Sequence, residues 1–520
     1  MAQAKTLLLA ASLLALMSFS VAVASDINID VKETTLSNGM KILVLENHDA
    51  PVFSAMIRAR VGAVDEKAGQ TGLSHFLEHM LFKGTKTFGT SDYEAERPLM
   101  AKIDSIGELL RAEWGRIHNP LLPLDSTLYQ KYRKEIEDIQ MEQAKYIIKD
   151  EMWETYVKNG GSRLNASTGQ DGTQFYVSLP SNRLELWALL ESDRFGSTVF
   201  REFYSERDVV YEERRLRTDT QPRGKMDEAM GAAAFTASGY SHPVVGWASD
   251  IETWDHDLLK DYFHTYYSPN NLVASVVGDV DANEVFAVCE KYFGKIPRGP
   301  VPPIITTIEP EQKGERRVIV EFDASPSINI GWHCPPIGHP DNAALDVLTS
   351  ILSQGRTSRF NKSIVEEQKL ATRASIYSSS SRYTDLIAAY ATPLQPHTCA
   401  EAEQAIYDEI DKLKIEPVSE WELQKIRNQL DADFIRGMDS NLGMGWRLAH
   451  YYAMTGDWKY MLTSYENMKK VTAADIMRVA NEYFSPDERT VVTLVKTESK
   501  DTEEPMSGRP RGARHEGGGQ

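Results

Sequence analysis

Apolar residues recur along this chain in two registers. Short runs at Met40 to Leu45, Phe53 to Val61, Thr173 to Leu179, Leu272 to Val277, Ile328 to His333 and Thr490 to Val495 read as strands. Helical spacing appears at Leu73, Phe76, Leu77, Met80 and Leu81, over Asn182 to Ser197, and in the amphipathic stretches Asp257 to Thr265 and Ala473 to Glu482. The order of these elements repeats. Pro51 and Pro326 each open a strand that leads to a helix ending at a glycine, Gly84 or Gly355. Later in each half an amphipathic helix precedes Tyr267-Ser268-Pro269 or Phe484-Ser485-Pro486, and a strand follows. Such self-similarity predicts an α+β chain of two homologous domains, each a mixed sheet packed with helices. The expected bounds are 26–296 and 315–499, joined by a linker at 297–314 that carries Pro297, Pro300, Pro302, Pro303 and Pro310.

The halves differ in length. The stretch from Gly84 to Pro269 is longer than its counterpart from Gly355 to Pro486 by enough chain to build a pair of helices. The excess falls at about 93–158, which reads as a helical hairpin. One helix spans Ala95 to Ile117, with Leu99, Ile103, Ile106, Leu109 and Leu110 on its apolar side. Asn119-Pro120 through Pro123-Leu124 breaks it, and a second, highly charged helix is expected from Tyr129 to Tyr156. A spacer, a lid and a partner-binding arm are all compatible with this pattern.

Composition is that of a globular protein with a substantial core: 42% of the 520 residues are hydrophobic and 25% charged. The formal net charge of −18, without a long basic run, argues against nucleic acid as a partner. Lys5, the apolar stretch Leu7 to Val23 and the small-residue site Ala22-Val23-Ala24 predict a cleaved signal peptide over 1–24, with an uncleaved anchor as the rival reading. Export, with the periplasm of a Gram-negative bacterium as destination, follows from that reading. Cys289, Cys334 and Cys399 are too few for a disulfide framework. Residues 500–520, rich in Gly, Arg, Glu and Pro, are expected to be disordered.

The chemistry concentrates in His75-Phe76-Leu77-Glu78-His79. On a helix, positions i, i+3 and i+4 share one face, so both imidazoles and the carboxylate point to one spot. Two neutral imidazoles suit zinc, one ion per chain, and the carboxylate suits a general base acting on water. This is the inverted H-x-x-E-H order. Counting back from Gly355, the matching positions in the second half are Asp346, Thr349 and Ser350, which cannot rebuild such a site. A third protein ligand is still needed. Glu206, Asp208, Glu212 and Glu213, on a charged helix from Glu202 to Arg217, are candidates, and pattern alone does not choose among them.

The stretch from Gly72 to Thr85 resembles the zinc helix of the pitrilysin/insulysin superfamily, which includes mitochondrial processing peptidase and bacterial peptidases of similar size. Leu164-Asn165-Ala166-Ser167-Thr168 resembles the family's active-site edge strand, and Tyr266 to Asp279 its domain-closing signature. Glu206-Arg207-Asp208-Val209-Val210-Tyr211-Glu212-Glu213 resembles the segment that supplies the third ligand. The resemblance implies that Glu213 completes the zinc site with His75 and His79, that Glu78 is catalytic, and that Glu206 supports a ligand. It further implies that an extended peptide substrate pairs with residues 164–168 inside a chamber of four domains from two chains. Glu213 follows His79 at a greater distance along the chain than is usual in the family, and the insertion accounts for most of the difference. Active members also carry an arginine and a tyrosine in the companion domain. Here Val365 and Thr372, seven positions apart, stand in those places, and Arg359, Arg373 and Tyr377 do not fit the register. The expected function is a zinc-dependent endopeptidase of flexible peptides. Its partner would be a related subunit that brings the arginine and tyrosine, with a homodimer as second choice. A non-catalytic peptide-binding or scaffold subunit is the alternative.

Overall fold

The computed structural model describes residues 29–122 and 125–497. The expected signal peptide, the expected tail and the Pro123-Leu124 end of the hairpin break lie outside the described residues.

The first sheet contains β1 (Lys32–Thr35), β2 (Lys41–Glu46), β3 (Val52–Ala59), β4 (Ser162–Thr168), β5 (Thr173–Pro180) and β6 (Leu272–Gly278). Their spatial order is β1-β2-β6-β3-β5-β4. The second sheet contains β7 (Arg316–Phe322), β8 (Ser327–Cys334), β9 (Ala371–Ser378), β10 (Asp385–Pro393) and β11 (Arg489–Lys496), in the order β7-β11-β8-β10-β9. Apart from β1 the wiring is the same. One parallel pair, β2 with β6 or β11 with β7, sits toward one side, and every other neighbour is antiparallel. The halves are homologous in fold as well as in pattern.

The central strands are apolar almost throughout because both faces are covered. One face of the first sheet packs on helices of its own half through Leu73, Phe76, Leu77, Trp187 and Leu190. The second sheet does the same through Leu345, Leu348, Leu352, Ile406 and Ile410. The opposite faces are covered by exchange. Helix Asn441–Thr455, from the second half, lays Met444, Leu448, Ala449 and Ala453 against Leu43, Met56, Val273 and Val277 of the first sheet. Helix Pro222–Ala234, from the first half, lays Met226, Met230 and Ala234 against Leu386, Val492 and Leu494 of the second. Packing therefore crosses the expected 297–314 boundary in both directions. Gly445 brings the backbone of the exchanged helix close enough for its carbonyl to accept from Ser275 Oγ at 2.7 Å.

The insertion departs from expectation at one point. Its first helix, Tyr93–Ile117, is as anticipated, but the segment expected as one helix from Tyr129 to Tyr156 is two, Thr127–Gln143 and Glu151–Lys158. A bridge between Thr90 and Ile147 and a left-handed Asp150 (φ 54°) interrupt it. Neither glycine nor proline marks that break; tertiary pairing makes it. The three cysteines are free. Among the described residues no helix is long and apolar enough to cross a membrane.

Candidate metal centre

The motif lies on helix Leu73–Met80, between β3 and the insertion. Gly72 precedes it at φ 92°, where a Cβ would lie 2.5 Å from the Val245 carbonyl, so glycine is required on both grounds. The first turn leaves backbone donors without helical partners. The buried Glu66 carboxylate accepts two of them, from Gly72 N–H at 2.6 Å and Ser74 N–H at 2.7 Å.

The two imidazoles meet edge to face, with centroids 4.8 Å apart. Helix Phe203–Arg214 brings Glu213 against both: Oε1 is 3.7 Å from His75 Nε2 and Oε2 is 3.3 Å from His79 Nε2. Ligand atoms of His75, His79 and Glu213 all lie within 4.8 Å of one another, and no other such group occurs among the described residues. Two turns earlier on the same helix, Glu206 Oε1 sits 2.9 Å from His79 Nδ1, while its other oxygen takes the Lys83 ammonium at 2.5 Å. A carboxylate on the far nitrogen fixes the ring and leaves Nε2 to face the cluster. Of the four acidic candidates, Glu206 and Glu213 point inward. Asp208 pairs with Arg133 and Glu212 with Arg215 at the surface.

Charge is divided unevenly. Burial, helped by the charge of His79, pushes His75 down to about 4, so it is neutral near pH 7. Burial also opposes charge on His79, but hydrogen bonds to Glu206 and Glu213 outweigh it and raise its pKa to about 9. Burial raises Glu78 above the usual carboxylate range, and a 2.6 Å hydrogen bond donated by Thr168 Oγ1 works against that rise. The donor set of two imidazole nitrogens and one carboxylate, with one side open to a cleft, fits zinc with a free coordination position.

The cleft has a volume of about 940 Å³. One wall is the end of β4, Asn165 to Thr168, and the other is the outer face of the Glu213 helix, with Val209, Glu212 and Leu216. Because β4 is the last strand of its sheet, one row of its backbone groups is unpaired. Within it, Leu164 and Ala166 turn into the core, the Ser167 hydroxyl accepts from Gln174, and Thr168 reaches Glu78.

In the second half, Arg359 is committed to Glu422 at 2.8 Å. Val365 lies in an irregular helical turn, and Thr372 is exposed at the start of β9. Arg373 and Tyr377 are exposed on β9. Three contacts escaped the sequence reading: Thr168 to Glu78, Lys83 to Glu206, and Arg217 to Glu213 at 2.8 Å. Arg217, four residues after Glu213, carried an i+4 signal, whereas Lys83 lies beyond the end of its helix and meets a partner far along the chain. Thr168 carried none.

Two family models match the chain: "Insulinase (Peptidase family M16)" over residues 41–104 and "Peptidase M16 inactive domain" over 253–430. Neither match reaches Glu206 or Glu213. A zinc protease named PqqE from Helicobacter pylori is 27% identical over 474 residues, spanning 89% of this chain and 92% of the relative. The crystal structure of a protease from Helicobacter pylori superposes with a TM-score of 0.75 at 25% identity, covering 90% of this chain and all of that one. The first half of the periplasmic protease PqqL from Escherichia coli shares the fold, with a TM-score of 0.66 at 16% identity over 89% of this chain and 92% of that one. Each half of the chain is thus similar to an M16, insulinase-like family model, and the bacterial relatives it resembles are named zinc proteases.

Proposed function

We propose that the protein is a zinc-dependent endopeptidase that cleaves flexible peptides. The observation that carries the reading is the convergence of His75, His79 and Glu213 beside Glu78, at the open edge of β4. His75, His79 and Glu213 would hold the metal, which when bound would supply Lewis-acid activation of water and of the scissile carbonyl. Glu78 takes a proton from the attacking water and returns it to the leaving amine; a carboxyl raised by burial suits both transfers. Thr168 orients that carboxylate, and Glu206 orients His79. The substrate adds to β4 as an extended strand through its backbone, a mode that requires an unfolded segment. Residues 164–168 supply this edge.

Val365 and Thr372 in place of the arginine and tyrosine support a pairing in which a related subunit contributes that pair, with a homodimer as second choice. The same two residues favour a second reading, a peptide-binding or scaffold subunit without turnover. Export to the periplasm rests on the leader pattern at 1–24. The test is cleavage of a long unstructured peptide by the purified, zinc-loaded protein, with Glu78→Gln alongside. Cleavage that vanishes in the variant supports a self-sufficient peptidase. Stoichiometric zinc without cleavage, even after every related subunit of the source cell is supplied, sinks the enzyme reading in favour of the scaffold.

A further inference from the structure

Glu96 and Arg201 have no exposed side-chain surface. Glu96 stands near the start of the first insertion helix, and Arg201 stands just before the Glu213 helix. Their contact is a fork, Nε to Oε1 at 2.7 Å and Nη2 to Oε2 at 2.9 Å. Gln143, the last residue of the second insertion helix, donates to the same carboxylate at 2.8 Å. The remaining donors of Arg201 reach the loop that leaves the motif helix, Nη1 to the Lys83 carbonyl and Nη2 to the Thr85 carbonyl, both at 2.9 Å. One guanidinium thus joins two insertion helices, the exit of the helix carrying both histidines, and the start of the helix carrying both glutamates.

The backbone around it is held in costly conformations. Phe200 (φ 51°) and Glu202 (φ 62°) flank Arg201 in the left-handed region, where bulky side chains persist only if their surroundings impose it. A buried guanidinium cannot leave its carboxylate without stranding a charge, which supplies that constraint. From the same loop the Lys83 ammonium reaches Glu206, which holds His79. A continuous hydrogen-bonded path therefore runs from the insertion to a metal ligand.

We propose that the helical insertion positions the metal centre: the Glu96–Arg201 fork sets the separation of the motif helix and the Glu213 helix, and through it the zinc affinity of His75, His79 and Glu213. The inference rests on the metal-binding reading above. Arg201 is a positioning residue and touches none of the three ligands.

Two variants of the full chain test it. Arg201→Lys keeps the charge but cannot span Glu96 and both loop carbonyls at once. Glu96→Met with Arg201→Met replaces the pair by apolar volume, an exchange that buried ion pairs often tolerate in stability. Two readouts are taken well below melting: zinc affinity by chelator competition, and amide hydrogen exchange of the metal-free protein over 81–89 and 198–213. Both variants are expected to retain the far-ultraviolet spectrum of the fold and to exchange faster in both segments. Zinc binding is expected to weaken by about 10- to 100-fold, the range for loss of an outer-shell partner. Removing Arg317 and Glu403, a pair in the second half, leaves both readouts unchanged. Wild-type zinc affinity in a folded variant overturns the proposal, as does faster exchange confined to the insertion. If the unaltered chain takes up no zinc that His75→Ala removes, the metal reading fails instead. The exchange measurement then decides by itself whether the fork holds the two helices.

Discussion

Helix Leu73–Met80 follows β3, and helix Asn342–Ser353 follows β8; each lies against its own sheet and ends before a left-handed glycine, Gly84 or Gly355. The first presents His75, Glu78 and His79 to a cleft. The second presents Asp346, Thr349 and Ser350 at the same count from its glycine, and Asp346 lies within electrostatic reach of Tyr451 and Tyr460 instead of a second acidic helix. The same scaffold gathers two imidazoles and a carboxylate in one copy, and among the described residues no such group forms in the other. What the first half adds is the insertion and a helix with two inward carboxylates, Glu206 and Glu213, two turns apart. Fold alone therefore supplies the position of a motif helix but not a metal site.

The largest way to break this contrast is to remove the base. Glu78→Gln should keep zinc stoichiometry and lower kcat by about 10²- to 10⁴-fold, the usual share of general acid–base catalysis; wild-type turnover in the variant would refute its role. Next come the carboxylates. Glu213→Ala should weaken zinc more than Glu206→Gln, for which loss of an outer partner predicts about 10- to 100-fold. Glu212→Ala should leave zinc binding as it is, and calorimetric titration of the three variants ranks them; release of metal by Glu212→Ala would show the wrong glutamate was assigned.

The exchanged helices should behave alike despite the chemical asymmetry. Leu448→Ala and Met230→Ala each empty a buried site against the other half's sheet and should cost about 2–5 kcal/mol in urea unfolding. A cost near zero in either would mean that the sheet face is not sealed by that helix. The smallest effect concerns Asp346, which burial pushes up to about 7. An unfolded aspartate titrates near 3.9. The folded form thus resists ionisation, and stability is lost as pH rises from about 4 through 7. Asp346→Asn should melt higher than wild type above pH 7, with the gap closing by pH 4; a gap independent of pH would assign the gain to packing.

Much of this architecture was legible locally. The stripe Leu73, Phe76, Leu77, Met80 and Leu81 marked the motif helix, and the repeated Ser-Pro turns before β6 and β11 exposed the duplication. Helix exchange was not legible, because Leu448 and Val273 meet from opposite halves of the chain and either would look equally apolar in its own half. The break near Asp150 depends on a bridge to Thr90, so no residue inside the segment announces it. At the candidate site, Glu206 and Glu213 share a face by their spacing, yet Asp208 and Glu212 fit a charged surface helix equally well. Only the neighbours Arg133 and Arg215 separate the two pairs.

The exchange also sets a timetable for biosynthesis. All six strands of the first sheet have been synthesised by Gly278, but the helix that seals its second face is complete only at Thr455, near the end of the second half. At about 5–20 residues per second, synthesis of the intervening chain takes roughly 9–35 s. Throughout that delay Leu43, Met56, Val273 and Val277 lack the cover of Met444, Leu448, Ala449 and Ala453. Nascent chains of this protein should therefore be clients of a holding chaperone until most of the second half has been made, and a fragment ending at the 297–314 linker should aggregate when expressed alone.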